Sequence, residues 1–529
     1  MIVLALVVLP LVVHGEDDSS ENTLREVKAS EILAKIQKGE PVEYDHVKVI
    51  GDLDLGKLDL RTIHVNRTAY EKLLGLSETH QVITSIIRIN DSAFDGLVIF
   101  NNTFLNEAVD FSSSNFTKDA NFIGATFSGS ADFSRATFSG DTNFDGATFN
   151  GDADFYRATF NGDADFKGAM FGGYAYFDVA MFSHDADFKG AMFSGDQASF
   201  SGAMFSGADS GADFSEVTFN GNVYFDVAKF TSSADFWGAT FSGSADFSRA
   251  TFSGDASFMD ATFSGDASFR GATFSGNTDF SYAEFSKGIE FGYSNFENTT
   301  SFYRILFRRP AYFENSSISS LNLTKADYTR LHHHWNNIMN LDFDEGAYLA
   351  LIKNYNNLGW YNDANECYYD YRNEVRKNWL TAYAPDLKTR VSNILNWFID
   401  TMEWLLYGYG VQPLFPVVWS GIIILAFGFF FLRKKSLTKI VVEEQIEESN
   451  EESNTKVLIH TIKSKAQVTS LDPFFFSLFT FSSGFTSFLH PSIEYKLDCC
   501  ERWIVTERLL GPFFIALFIT AISKTYLIR

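Results

Sequence analysis

Three sets of residues in this 529-residue chain have types and spacing that could do chemistry. His332, His333 and His334 stand in a row and could offer imidazoles to a metal. Cys499 and Cys500 are adjacent and could offer thiolates. Aspartate recurs from Asp132 to Asp279, in step with a longer pattern. Consecutive residues on a helix point in different directions, so one ion could hardly take all three imidazoles, and they read as surface histidines. The cysteine pair lacks a second pair or a histidine constellation at metal-ligand spacing. The aspartates outnumber what an active site needs and read as corner and surface residues. No Ser/His/Asp set, phosphate loop or pair of carboxylates in a definable cleft is visible. The reading is therefore of a non-enzyme, with no catalytic, cofactor-binding or metal residues and no cofactor.

Composition narrows the partners. The net charge is -24, so nucleic acid is not an expected ligand. Three cysteines are too few for a disulfide framework. Of the 57 phenylalanines, 39 lie between Phe100 and Phe313. From Phe122 to Phe188 their steps alternate between five and six, giving an 11-residue unit such as ADFSRATFSGD. A small residue precedes most of them by two, as Ala131 precedes Phe133. Two irregular insertions fall near Gln197 and Ala208, after which the rhythm resumes from Phe214 to Phe313. Neither an amphipathic helix nor a simple hairpin array fits this period.

These residues resemble the pentapeptide-repeat family, whose units carry Leu or Phe at the centre and a small residue two before it. The resemblance implies a mainly β fold: a right-handed quadrilateral β-helix with central Phe and small residue pointing inward. Four faces would use about 22 residues here rather than 20, so alternate faces must absorb one more residue in a bulge or corner. Stacked rings would fill the interior and leave no cavity or channel. From Lys118 to Thr300 there are 25 Asp plus Glu against 9 Lys plus Arg. Some cytoplasmic members of the family mimic duplex DNA with such a surface. The leader and membrane segments described next argue against that role here. A short helix over Ala29–Lys38, with Ile32, Leu33 and Ile36 on one face, and an early Leu-based coil at Leu53, Leu55, Leu58 and Leu60 are expected to open the solenoid.

After the repeats, Tyr348, Leu351, Tyr355, Gly359, Tyr361, Ala364 and Tyr368 resemble one tetratricopeptide-type helical hairpin, expected to cap the last coil. Val411–Leu432 is apolar for 22 residues, long enough to span a bilayer. Arg433, Lys434, Lys435 and Lys439 follow it and predict a cytoplasmic C-terminal end. Val391–Leu406, before it, is amphipathic and Trp-rich, as an interfacial helix would be. The YGYG at Tyr407–Gly410 has no spanning helix before it and reads as an interfacial turn. Pro473–Pro491 resembles the pore helix and filter of two-helix potassium channels through Phe476, Ser477, Leu478, Thr480, Phe481 and Pro491. Glu507–Ser523 resembles their inner helix. At the filter, Ser483, Gly484, Phe485, Thr486 and Ser487 keep one glycine, where a potassium filter needs more. The resemblance thus implies a pore of low or altered selectivity, or a remnant of one.

The reading divides the chain into a signal peptide (1–15), an N-terminal cap with the first coils (24–98), the repeat β-helix (99–313) and a helical capping segment (314–387). An interfacial and first transmembrane helix (388–432), an acidic flexible linker (433–470) and a channel-like region with the last transmembrane helix (471–529) follow. Two topologies stay open. The leader and the basic cluster place the solenoid outside the cell, with 473–489 as a third span. A channel topology would place it in the cytoplasm. The external reading is preferred, and seven glycosylation sequons at Asn66, Asn90, Asn101, Asn115, Asn298, Asn315 and Asn322 agree with it. The expectation is a cell-membrane protein: a surface structural or binding rod, alternatively an oligomeric ion channel with the repeats as sensor or assembly domain. Its expected partners are membrane lipid, an extracellular ligand or protein, and copies of itself, four if it forms a pore.

Overall fold

The computed structural model describes residues 24–67, 72, 74–208, 211–435, 437–449, 456–482, 493–497 and 501–523. The expected signal peptide, the filter-like residues Ser483–Ser487 and the Cys499–Cys500 pair lie outside the described residues. Two units form, one of Met1–His333 with Asn337–Asp342, the other of His334–Asn336 with Phe343–Arg529.

The alternating steps of the phenylalanines become the faces of a β-solenoid. One coil runs through the two-residue strands Ala131–Asp132, Thr137–Phe138, Thr142–Asn143 and Thr148–Phe149. Each pairs in parallel with its equivalent one coil on: Ala131 with Ala153, Thr137 with Thr159, Thr142 with Ala164, Thr148 with Met170. Four faces thus take 22 residues, as the spacing predicts.

The extra residue sits in alternate corners. Tight corners close on themselves: the Ala136 N–H donates to the Phe133 carbonyl at 3.0 Å, with Arg135 left-handed at φ 58°. In the wide corners, such as Phe138 to Thr142, the backbone turns to the neighbouring coil instead, the Ser139 N–H donating to the Phe116 carbonyl at 2.8 Å. Both irregular insertions fall in wide corners. Pairing shifts from the 22-residue register to Tyr176 with Ser199, then Ala186 with Ala212, and the ladders continue unbroken.

Inside, the rings form columns. Phe155, Phe177, Phe200 and Phe225 stack at 4.8 Å between centroids, and each meets the rings of adjoining faces edge-on, as Phe155 meets Phe166 at 5.6 Å and 89°. Offset stacks and edge contacts suit the ring quadrupole, and each buried side chain contributes roughly 1.5–3 kcal/mol through removal from water.

The first coil opens behind α1 (Ala29–Lys38), whose bounds match the expectation and whose Ile32 and Ile36 are buried. Leu53 and Leu55 point inward as expected, whereas Leu58 and Leu60 are only half-buried. The chain there leaves the coil on an excursion, and the antiparallel pair Thr62–His64 with Thr79–Ile83 returns it. Buried Arg67 fixes this excursion, donating to the carbonyls of Ser77 at 2.9 Å and Gly124 at 3.3 Å and lying against buried His80.

The second unit is mainly helical. α2 (Glu345–Leu358) and α3 (Tyr361–Thr381) form a hairpin around left-handed Gly359, with Tyr348, Leu351, Tyr355, Ala364 and Cys367 buried. Asp386 caps α4 (Leu387–Tyr407), accepting the Thr389 N–H at 2.7 Å. The expected turn follows at Gly408–Gly410, then α5 (Leu414–Lys434). The described part of 433–470 differs from the flexible linker read from its acidic run. Leu437–Ser449 and Lys456–Ala466 pair antiparallel, and Ile493–Leu497 adds to the first of them. Ile440, Val441, Val442, Ile446, Val457 and Ile459 supply strand propensity that outweighs the glutamates. Of the expected third span over 473–489, only residues up to Ser482 lie within the described residues, and they are helical. α6 (Asp472–Ser482) has 11 residues, a length of roughly 17 Å against the ~30 Å of a bilayer core. Among the described residues two helices are long and apolar enough to span, α5 and α7 (Glu501–Ile522).

Candidate functional site

The recurring aspartates are backbone ligands of the solenoid. One set precedes the central Phe and accepts the N–H two residues on: Asp132 from Ser134 at 2.8 Å, Asp154 from Tyr156 at 2.8 Å, Asp213 from Ser215 at 2.8 Å. The other set stands in the wide corners and caps the next coil. Asp141 accepts the Asp163 N–H at 3.2 Å, and Asp163 accepts that of Asp185 at 3.3 Å. Aspartate suits both places because a short carboxylate reaches a backbone N–H that the corner leaves unpaired. A shallow groove of about 710 Å³ lined by Asp213, Asp235, Asp255 and Asp279 is built from the same residues, and each of these carboxylates holds a backbone N–H.

One acidic cluster is electrostatically distinct. The Lys167 ammonium bridges Asp165 at 2.8 Å and Asp187 at 2.9 Å. Half-buried Asp145 lies beside them, and burial together with the Asp165 carboxylate pushes its carboxyl up to about 6. A folded carboxyl raised above its unfolded range binds more protons than the unfolded chain. Asp145 therefore lowers stability at neutral pH, and the loss is recovered as pH falls from about 6 toward 4. Asp145→Asn is expected to raise unfolding free energy at about pH 7 by roughly 1–3 kcal/mol and to flatten the fall of stability with rising pH. Urea unfolding across that range checks this. An unchanged slope would mean that other carboxyls set it.

The histidines do not form one site. His332 ends the strand Leu331–His332, His333 and His334 follow it, and none of the three is helical. His332 stacks on Tyr312 at 4.8 Å, and burial together with Arg330 pushes its imidazole down. His333 is buried against Phe313 at 5.2 Å and is no surface residue, because the solenoid continues one coil further than the phenylalanines do. In the other unit His334 stacks on Trp360 at 4.3 Å and lies 3.2 Å from Asp363. Among the described residues no group of His, Cys, Asp and Glu converges as metal ligands. Burial pushes the Cys367 thiol up, which keeps it protonated and unreactive.

Of the sequon asparagines, Asn66, Asn115, Asn298 and Asn315 are exposed. Asn90, Asn101 and Asn322 are half-buried, with side chains tied to Asp45, the Ile123 N–H and the Thr324 N–H.

The polar groups that the sequence reading missed lie in the helical unit. The Arg372 guanidinium meets buried Asp400 and, at 3.0 Å, Glu403, while the Trp379 indole donates to Asp400 at 3.1 Å. Arg372, Trp379 and Asp400 border a cavity of about 610 Å³ that Tyr368, Tyr371 and Asn396 also line. Asp472 is buried at the start of α6 and accepts from Lys439 at 2.9 Å and Tyr495 at 2.9 Å. Glu507 is buried within α7. An acid at the border of the apolar run that begins at Leu509 is the one signal that could have marked Glu507, and Arg508 beside it obscures that signal. Arg372 and Asp400 lie 28 residues apart on two helices, and nothing local announces them.

The family described as Pentapeptide repeats (9 copies) matches residues 89–137, 122–170, 210–251 and 247–295. No curated protein and no solved structure matches the chain. The family match lies within the solenoid. The helices α2 and α3 form the hairpin that was expected, but neither its tetratricopeptide-like character nor the channel-like character of 471–529 gains support from these comparisons.

Proposed function

We propose that this pentapeptide-repeat chain is a non-enzymatic rod anchored in the cell membrane by its helical unit and used for a structural or binding role at the cell surface. The observation that carries this reading is the pair α5 and α7, apolar over membrane length, with Leu425, Phe429, Leu509 and Ile519 exposed on the isolated chain. Water would not tolerate such surfaces, and lipid would cover them. α4 supports it: Val391, Ile394, Leu395 and Phe398 are exposed on one side, as suits a helix lying in the interface. The basic end of α5 at Arg433, Lys434 and Lys435 favours a cytoplasmic side there and an external solenoid. A solenoid interior filled by phenylalanine leaves the outer surface to meet a ligand or protein.

Sidedness tests this. Ser139 is exposed in a wide corner. A Ser139→Cys chain with Cys499→Ser and Cys500→Ser would be treated in intact cells with a membrane-impermeant maleimide, Cys367 being buried and unreactive. Labelling of intact cells is the expected result. Labelling only after permeabilisation would put the solenoid in the cytoplasm.

A second reading, an oligomeric pore of low or altered selectivity, is favoured by the placement of α6. This short helix packs on α5 through Phe474 against Phe429 at 5.0 Å and Phe476 against Phe431 at 5.1 Å. It reaches α7 through Ser477. A pore predicts a tetramer in mild detergent and a current across planar bilayers; an anchor predicts no current.

A further inference from the structure

Glu507 of α7 is wholly buried. Its Oε1 meets the hydroxyl of Ser477 on α6, and its Oε2 has no hydrogen-bond partner among the described residues. Ser477, also wholly buried, lies with Oγ 2.9 Å from the carbonyl oxygen of Ile424. Ile424 is the central residue of α5, so the three groups meet at mid-length, roughly 15 Å from either end of that helix. The other titratable groups on the packed elements are Lys388, Arg390, Asp400, Glu403 and Tyr407 on α4, Tyr409 in the turn, Arg433 and Lys434 on α5, Asp472 on α6, and Arg502 and Arg508 among the described side chains of α7. None of them pairs with Glu507, whose one polar contact among the described residues is Ser477.

Counting hydrogens then constrains the site. A serine hydroxyl has one hydrogen, and here it faces two acceptors, the Ile424 carbonyl and Glu507 Oε1. If Ser477 donates to Ile424, its contact with Glu507 is a hydrogen bond only when Glu507 itself carries a proton and donates it to Ser477 Oγ. If Glu507 is ionised, Ser477 must turn its hydrogen to the carboxylate and leave the Ile424 carbonyl. An ionised carboxylate with one donor and no cation is strongly disfavoured away from water, most of all in a bilayer.

We propose that Glu507 is a proton-binding site at mid-depth of the helical unit, held as the neutral acid, with Ser477 as the hydroxyl that reads its state. Loss of the proton to solvent leaves a carboxylate and turns the Ser477 hydrogen from α5 to α7, so that α6 loses its bond to α5 and keeps the one to α7 with donor and acceptor reversed. The ligand is a proton, and no other bond is made or broken. This rests on the reading that α5 and α7 lie in the membrane.

The test uses the full-length chain in vesicles of ether-linked phosphatidylcholine, which has no ester carbonyl, washed with alkaline carbonate and studied by infrared spectroscopy at neutral pH. The expected result is a protonated-carboxyl C=O band that is absent from Glu507→Gln. In Ser477→Ala the band persists and moves to higher frequency through loss of its hydrogen bond. Glu507→Gln, an isostere of the neutral acid, is expected to keep the thermal midpoint of the helical unit. A chain that stays in the vesicles but lacks the band, or a band that survives in Glu507→Gln, would overturn the proton site alone. A chain released by carbonate would overturn the membrane reading and the mid-depth placement with it.

Discussion

Replacing Phe225 by alanine is expected to destabilise the solenoid by about 3–5 kcal/mol, the cost of emptying a large buried site that cannot close. Phe225 is wholly buried, stacked between Phe200 at 4.8 Å and Phe247 at 4.9 Å. It also meets the edges or faces of Phe214 at 5.2 Å and Phe236 at 5.5 Å. Neighbouring coils are held apart by their strand ladders, so the rings above and below cannot move together to fill the gap. Phe225→Leu keeps most of the volume and is expected to cost less than half as much. Since each coil touches only its neighbours, faster amide exchange should be confined to the coils around Phe200–Phe247. Urea unfolding gives the magnitude and hydrogen exchange the extent. A loss below about 1 kcal/mol would show that the interior relaxes freely, contrary to a column of fixed pitch.

Gly265→Ala is expected to cost about 1–3 kcal/mol or more, although it adds a single methyl. Gly265 occupies a wide corner, where a Cβ would stand 2.0 Å from the carbonyl oxygen of Gly243 in the preceding coil. Gly243 stands in the same relation to Gly221, at 2.4 Å. The obstruction is backbone, so no rotamer change relieves it, and the coils must separate or the corner must re-form. Ser264→Ala, next to it and exposed, is the control and is expected to stay within about 0.5 kcal/mol of the parent. Thermal melts of the two variants side by side decide the matter. Equal midpoints would mean that the wide corners move apart at little cost.

The solenoid was legible because its period is written in side chains that repeat. The alternating steps from Phe122 to Phe188 fix the coil at 22 residues before any contact is known, and Ala131 or Ala153 mark the inward positions beside the rings. α1 was legible to the residue because Ile32 and Ile36 are periodic and Gly39 ends it. Features that depend on a partner distant in sequence were not. The division of aspartates such as Asp132 and Asp141 between two hydrogen-bonding roles depends on which corner each occupies. The pairing of Leu437–Ser449 with Lys456–Ala466 was hidden by glutamates that suggest solvation. Burial of His333 follows from a last coil in which it takes the position that Phe313 holds one coil before, with Leu331 in the place of Ala311. In the helical unit, Arg372 with Asp400 and Ser477 with Glu507 are pairs across helices, and their one-dimensional traces are single polar letters.

The ladders that join residues 22 apart also decide how this protein answers to force. Adjacent strands sit about 4.8 Å apart, so a folded coil adds only that much to the length of the solenoid. Pulled straight, the same residues reach roughly 75 Å. A solenoid under tension therefore peels from an end, one coil at a time, and each release lengthens it by roughly 70 Å while the remaining coils keep their own contacts. Under load such a chain is expected to lengthen coil by coil, in steps that differ at the two insertions, and each freed coil has an intact one to re-form against.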